Sequence, residues 1–243
     1  MKKMKKTSIL ALLVIMMSSC TDDPSTSGNV TLKASSVSAT GKTSATARTA
    51  ASTVVFTEFK INIGKIKFEL DEEDDKYNLV DPFYDDDVKL VGPFLIDILD
   101  PNKTLTQFIT SVNIPNAKYE EIEFKFEKSI VPGEMLGKTF LIKGTINGKN
   151  FVIYSGKDAE LEMDFADQTK DFIVNGNDMS LNIKIHLDAI MARLVTLANQ
   201  NLLIDTDGDG VIEISTDNDD GHQNIGEQIK NLLENETDLD DKD

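Results

Sequence analysis

From Thr53 onward the chain alternates apolar and polar positions. In VVFTEFKINIGKIKFEL, Phe59, Ile61 and Ile63 fall on one side and Ile66, Phe68 and Leu70 follow, with the phase slipping at Gly64. A period of two predicts one long strand, or two, with a bulge at the glycine. VKLVGPFLIDIL, QFITSVNIP and KYEEIEFKFEKS continue the pattern, and Tyr119, Ile122, Phe124 and Phe126 of the last predict a strand with one wet face. TFLIKGTINGKNFVIYSG holds two strand-like runs joined through Asn147-Gly148, a pair that accepts positive φ in a type I′ turn, so a β-hairpin is expected. AELEMDF and MSLNIKIHL add two more strands. About eight to ten strands with no helix between them predict a mainly β chain, built as an antiparallel β-sandwich.

The period then changes. LDAIMARLVTLANQ places Leu187, Ile190, Met191, Leu194 and Leu197 at helical spacing, with Asp188 near the start; HQNIGEQIKNLL does the same through Ile225, Ile229, Leu232 and Leu233. The fold class expected is therefore a sandwich with two C-terminal amphipathic helices flanking an acidic loop. Its domain spans residues 53–235, with 188–235 as a helix-loop-helix appendage and 236–243 as a disordered acidic tail.

Residues 20–52 read differently. SSVSATGKTSATARTAAS has almost no large apolar side chain, too little to offset the entropy of ordering, so this stretch is expected to be a flexible tether with a reach of about 30 Å. Before it, MKKMKK is a basic n-region, TSILALLVIMM an apolar run too short to span a bilayer, and SSC a small-residue end; residues 1–19 read as an export signal. The lone cysteine, Cys20, follows Met17-Ser18-Ser19, which resembles the lipobox of bacterial lipoproteins with Met where Leu is commoner. That resemblance implies diacylglycerol on the thiol, cleavage before it, acylation of the new amine and attachment to the outer membrane. Thr21-Asp22-Asp23 is similar to a short acidic signal for the outer face, which leaves the periplasmic and cell-surface sides both open.

Lys and Arg total 25 against 42 Asp and Glu; without the four lysines of the signal, 21 basic residues face 42 acidic ones. Such a field repels phosphate backbones, so no nucleic-acid partner is expected, and it favours divalent cations.

One acidic stretch is ordered. In DTDGDGVIE, Asp205, Asp207 and Asp209 stand at alternate positions, Gly210 permits a bend, the Val211 carbonyl can add a backbone oxygen, and Glu213 follows. This resembles the first nine positions of an EF-hand calcium loop. The twelfth position departs from it: Thr216 stands where that motif has a bidentate Glu, and Asp217 or Asp219 would have to fold back to close the site. DNDDG could hold an ion of its own, and a metal-free Asx/Gly turn is the alternative. Three gathered carboxylates repel without a counter-ion, so the expected cofactor is Ca²⁺ in a structural role, with Asp205, Asp207, Asp209, Val211, Glu213 and Asp217 as ligands.

Catalytic residues are not expected. His186 and His222 form no zinc pair, Cys20 is taken by the lipid, and neither G-x-S-x-G nor a phosphate-binding glycine loop is present. With no Trp, aromatic ligand platforms reduce to Tyr77 and Tyr84, set among acids in DDKYNLVDPFYDDD. VGPFLIDIL, VNIPNAKYEEIEFKFEKS and the late DGDGVIEIS before a terminal helix together resemble a group of β-sandwich lipoproteins of diderm bacteria, over roughly residues 53–233. The resemblance implies a carbohydrate-binding-module-like body and no activity. The function expected is a lipid-anchored, non-enzymatic binding module for a polysaccharide or protein, with the membrane as its other partner. A structural envelope component and a calcium-assisted glycoside or ester hydrolase are the alternatives.

Overall fold

The 18-residue alternation from Thr53 to Leu70 becomes one continuous strand around which the larger sheet is arranged. This computed structural model describes residues 27–37, 46–48, 53–71, 87–99, 106–164, 172–217, 219–235 and 237–240. The elements run β1 (Ser27–Val37), β2 (Thr46–Arg48), β3 (Thr53–Leu70), β4 (Val88–Asp97), β5 (Thr106–Pro115), β6 (Lys118–Phe126), β7 (Phe140–Ile146), β8 (Lys149–Ser155), β9 (Ala159–Asp164), β10 (Phe172–Ile173), β11 (Met179–His186), α1 (Leu187–Asn199), β12 (Val211–Ser215), α2 (Gln223–Asn235) and β13 (Thr237–Asp240).

The chain is mainly β, in two sheets. Nine strands follow the path β10-β6-β3-β7-β8-β12 with β2, β4 and β9 beside it, and four follow β13-β11-β1-β5. β3 is the spine: its first half pairs with β7 (Val54 with Ile146 to Ile61 with Phe140) and its second half with β6 (Ile63 with Phe126 to Leu70 with Tyr119). The phase slip at Gly64 is a bulge, since the register to both β4 and β6 shifts between Ile63 and Lys65. A side chain there would crowd Glu127, whose Cβ would lie 2.6 Å from an added Cβ. Asn147 (φ 53°) and Gly148 (φ 80°) form the tight turn between β7 and β8, as their pairing in sequence predicts.

Three expectations are corrected. The sheets are mixed rather than antiparallel throughout, because β1 runs parallel to β11 and β12 parallel to β8. Both pairs join strands far apart in the chain, and such long connections permit the parallel sense that a hairpin forbids. Secondly, β1 lies inside the stretch expected to be tether. It is inserted between β5 and β11, with Val30, Leu32 and Ala34 fully buried. Its alternation is short and its apolar side chains small, so composition hid it. Thirdly, part of the tail expected to be disordered is β13, paired with β11.

One apolar core serves both sheets, and the helices share it. α1 buries Leu187, Ile190, Met191, Leu194, Val195 and Leu197, with Asp188 in its first turn where the helix dipole favours an anion. It ends in a Schellman arrangement: Asn201 is left-handed (φ 56°) and Leu202 N–H donates to the Leu197 carbonyl at 3.0 Å. α1 contacts β1 and β3, while α2 lies on β12, β8 and β9, so the helices are part of the body rather than an appendage. No helix among the described residues is long and apolar enough to cross a membrane.

The two ends of the spine differ. At the Leu70 end, Ser27 pairs with Pro115, Val174 N–H donates to Ala117 (2.9 Å), Asp71 N–H donates to Lys118 (3.0 Å), and Tyr119 stacks on Phe172 with centroids 5.0 Å apart. At the Thr53 end the β7–β8 turn is tied down by Asn147 N–H to the Thr53 carbonyl (2.8 Å) and Thr53 N–H to Asn147 Oδ1 (2.9 Å).

Candidate metal centre and adjoining groove

The acidic loop leaves α1 and enters β12, and its own carboxylates shape it. Asp205 takes the amides of Gly208 (2.6 Å) and Gly210 (3.0 Å), Asp207 that of Asp209 (3.1 Å), and Asp209 that of Val211 (2.8 Å). Gly208 (φ 79°) and Gly210 (φ 95°) supply the left-handed turns that let alternate side chains converge. Carboxylate oxygens of Asp205, Asp207 and Asp209 lie within 4.8 Å of one another, and so do those of Asp207, Glu213 and Asp220. Asp207 belongs to both sets. An all-oxygen donor set of this density suits a hard divalent cation.

Among the described residues the carboxylate that folds back onto the loop is that of Asp220, and Asp217 belongs to neither set. Asp220 Oδ1 accepts from the Thr206 amide (2.7 Å) and hydroxyl (2.6 Å), while Oδ2 accepts from the Glu213 amide (2.9 Å). Asp220 itself is left-handed (φ 47°), a conformation aspartate tolerates better than most residues. Thr216, at the EF-hand's twelfth position, is buried and turned away, its hydroxyl 3.2 Å from Ser155. Asp217 lies beside Gly156, where an added Cβ would come 3.0 Å from its carboxylate. β12 imposes this arrangement: pairing to β8 fixes the direction of residues 211–215, and the chain turns back only beyond Thr216. Val211 is the first residue of β12, and its amide is given to Asp209.

His222, expected to be a packed or surface residue, is packed. It is 6% exposed, its Nε2 accepts the Ile204 amide at 3.3 Å, and Nδ1 is left to donate to the Glu213 carbonyl at 2.8 Å. The ring therefore joins the residue before Asp205 to the strand after the loop. His186 ends β11 next to α1, and Cys20, Tyr77 and Tyr84 lie outside the described residues.

Charge crowding appears in the titration of the second set. Burial, then the hydrogen bond to Asp220 and the charges of Asp209, Asp220 and Asp207, push Glu213 up to about 7. Burial opposes ionisation of Asp220 too, but the Thr206 hydroxyl and the amides of Glu213 and Thr206 outweigh it and hold this carboxyl well below the usual range. The crowding thus disfavours ionisation of Glu213, a penalty that a bound cation would relieve.

A groove of about 550 Å³ opens beside this cluster, on the outer face of the large sheet. Cross-strand pairing sets its floor: Leu141 faces Tyr154, and Lys143 faces Val152, which in turn faces Glu213 of β12. One wall is Thr206, Asp207, Glu213 and Asp220; the other is Glu134 and Lys138, from the connection between β6 and β7. Glu134 pairs with both Lys60 and Lys143, and Glu58 joins them, 2.8 Å from Lys143. The two ammonium groups hold the Glu134 carboxyl at about 2. Lys138 sits 5.2 Å from the Tyr154 ring centroid and donates to the Glu134 carbonyl at 2.7 Å.

Sequence reasoning placed Asp220 only in a separate DNDDG cluster, and did not single out Tyr154 or the two lysines of the groove. The hairpin signal at Asn147-Gly148 fixes which residues of β7 and β8 are opposite, and could have put Tyr154, Leu141, Lys143 and Val152 on one face. Nothing local could have brought Asp220 to Thr206. The chain matches no family model, no curated protein and no solved structure, so the chemistry of the site is argued from its own residues.

Proposed function

We propose that this chain is a non-enzymatic binding module, a β-sandwich held on the outer membrane by a lipid on Cys20, with Ca²⁺ in the acidic loop and the adjoining groove as its ligand face. The observation that carries the reading is the sharing of Asp207 by two carboxylate sets, with Asp220 closing the loop. Asp205, Asp207, Asp209, Glu213 and Asp220 would hold the cation, with the Val211 carbonyl as backbone donor. Bound calcium would supply positive charge and an anchor for ligand oxygens.

Charge supports a divalent ion. The groove's Lys138 and Lys143 oppose Glu134, Asp207, Glu213 and Asp220, two cations against four carboxylates, and one divalent ion makes up the difference. A groove so balanced, with one aromatic ring on its floor, suits a polysaccharide segment or a polar protein loop. Exported proteins meet calcium steadily, so the ion acts as a clip between α1, β12 and α2 rather than as a sensor.

The test is thermal unfolding of a soluble chain beginning at Thr21, across calcium and magnesium concentrations. Calcium should raise the midpoint in the millimolar range, and a midpoint unchanged by calcium would remove the metal. Cys20→Ala should release the full protein from membranes. Among the described residues, the raised carboxyl of Glu213 beside a groove is the feature that favours a hydrolase. Turnover of model glycosides or esters by the pure chain, lost in Glu213→Gln, would replace the binding reading with that one.

A further inference from the structure

We infer that the protein stands on the bilayer by the Leu70 end of β3 and presents the acidic loop and the β7–β8 turn at the far end, away from the lipid surface. The inference rests on the lipid at Cys20 proposed above, and its geometry comes from where β1 begins. Only residues 21–26 separate Cys20 from Ser27, and that length of chain spans at most roughly 25 Å even when fully extended.

The start of β1 is fixed in the fold. Ser27 pairs with Pro115 and Gly28 with Ile114 of β5, and the backbone at Gly28 is so close to the 174–177 turn that a Cβ would lie 2.6 Å from Val174 Cγ1 and 2.9 Å from the Asn177 carbonyl. This corner joins the large sheet through Val174 N–H to Ala117 and through Phe172 opposite Tyr119, which itself pairs with Leu70 of the spine. The anchor therefore enters at the Leu70 end. At the other end, Val54 pairs with Ile146, and β12 begins with Val211 opposite Asn150, next to the β7–β8 turn. From Leu70 to Val54 the strand rises roughly 50 Å, twice the reach of the connecting chain.

A bilayer is the occupant this end fits. Ile173, 56% exposed, and the exposed Asn175 and Asn177 are displayed there. At the same end Asp71 pairs with Lys118 (2.7 Å) and Asp87 with Lys67 (3.3 Å), so these charges are matched and the covalent link sets the orientation. The groove is thereby left open to ligands approaching from solution.

The experiment uses the full lipidated chain in phosphatidylcholine vesicles that carry a lipid-attached energy acceptor. A donor dye is placed on Asn175→Cys, on Asp178→Cys as a second site at the same end, or on Lys149→Cys; Cys20, once acylated, does not label. Energy transfer should be strong from 175 and 178 and largely lost from 149. Equal transfer from the two ends, or stronger transfer from 149, would overturn the orientation while leaving the anchor intact. A chain that fails to float with vesicles would remove the anchor and the orientation together.

Discussion

Asp220 accepts both the amide and the hydroxyl of Thr206, at 2.7 and 2.6 Å, and so ties the turn before α2 to the residue that follows Asp205. Asp220→Ala removes three hydrogen bonds to a carboxylate, and should cost roughly 1–3 kcal/mol in the absence of calcium. It should also abolish the calcium-induced rise in unfolding midpoint. Asp217→Ala should change neither by more than about 0.5 kcal/mol, because its carboxylate lies beside Gly156. Urea melts of both variants with calcium and with chelator read the contrast; if Asp217→Ala alone lost the calcium response, the loop would close as the EF-hand spacing predicts.

The raised carboxyl of Glu213 gives a pH dependence. Folded, this group titrates near 7, whereas its ordinary value is 4.5. Between those values the folded state holds more proton than the unfolded, so its contribution to stability falls as pH rises through the window and levels off above about 7. A cation held by the loop would displace the proton, so saturating calcium should remove or reverse the fall. Unfolding midpoints at pH 5, 6, 7 and 8 in chelator would show it, and Glu213→Gln should flatten the slope. An unchanged slope in that variant would assign the effect to the general negative charge of the chain.

β1 sets where a folded fragment can begin. A chain starting at Thr53 lacks Val30 and Leu32, whose burial contributes roughly 3–6 kcal/mol, and leaves β5 and β11 without the strand between them. That is comparable to the whole stability of many domains. The fragment from Thr53 should be aggregated or unfolded by circular dichroism, and the fragment from Thr21 should unfold cooperatively. Equal melts for the two would make β1 dispensable.

α2 approaches β12 through Gly226. A Cβ there would come 2.4 Å from the carbonyl carbon and oxygen of Ser215, which are backbone atoms and cannot rotate away. Gly to Ala in a helix gains at most about 1 kcal/mol of propensity, against overpacking that typically costs 1–3 kcal/mol. Gly226→Ala should therefore destabilise the chain and weaken its calcium response, since α2 carries the turn that presents Asp220. A higher midpoint in this variant would mean that the helix is free to move off the strand.

Local pattern determined much of this protein. The period of two in β3, the bulge at Gly64, the turn at Asn147-Gly148 and the apolar stripe of α1 are each set by side chains within a few residues of one another, where steric and solvent preferences act without reference to the rest of the fold. The convergence of Asp205, Asp207 and Asp209 is local in the same sense, because alternate side chains on a glycine-bent loop must approach. Tertiary structure decided the remainder. Val30, Leu32 and Ala34 are too few and too small to predict a strand, and become one only because β5 and β11 leave a place between them. Thr216 turns into the core because β12 must pair with β8, and that pairing hands the closing position to Asp220. Whether a carboxylate binds a cation or faces water depends on what lies within a few ångströms of it, and for Asp220 those neighbours are Thr206 and Glu213, which only the fold brings to it.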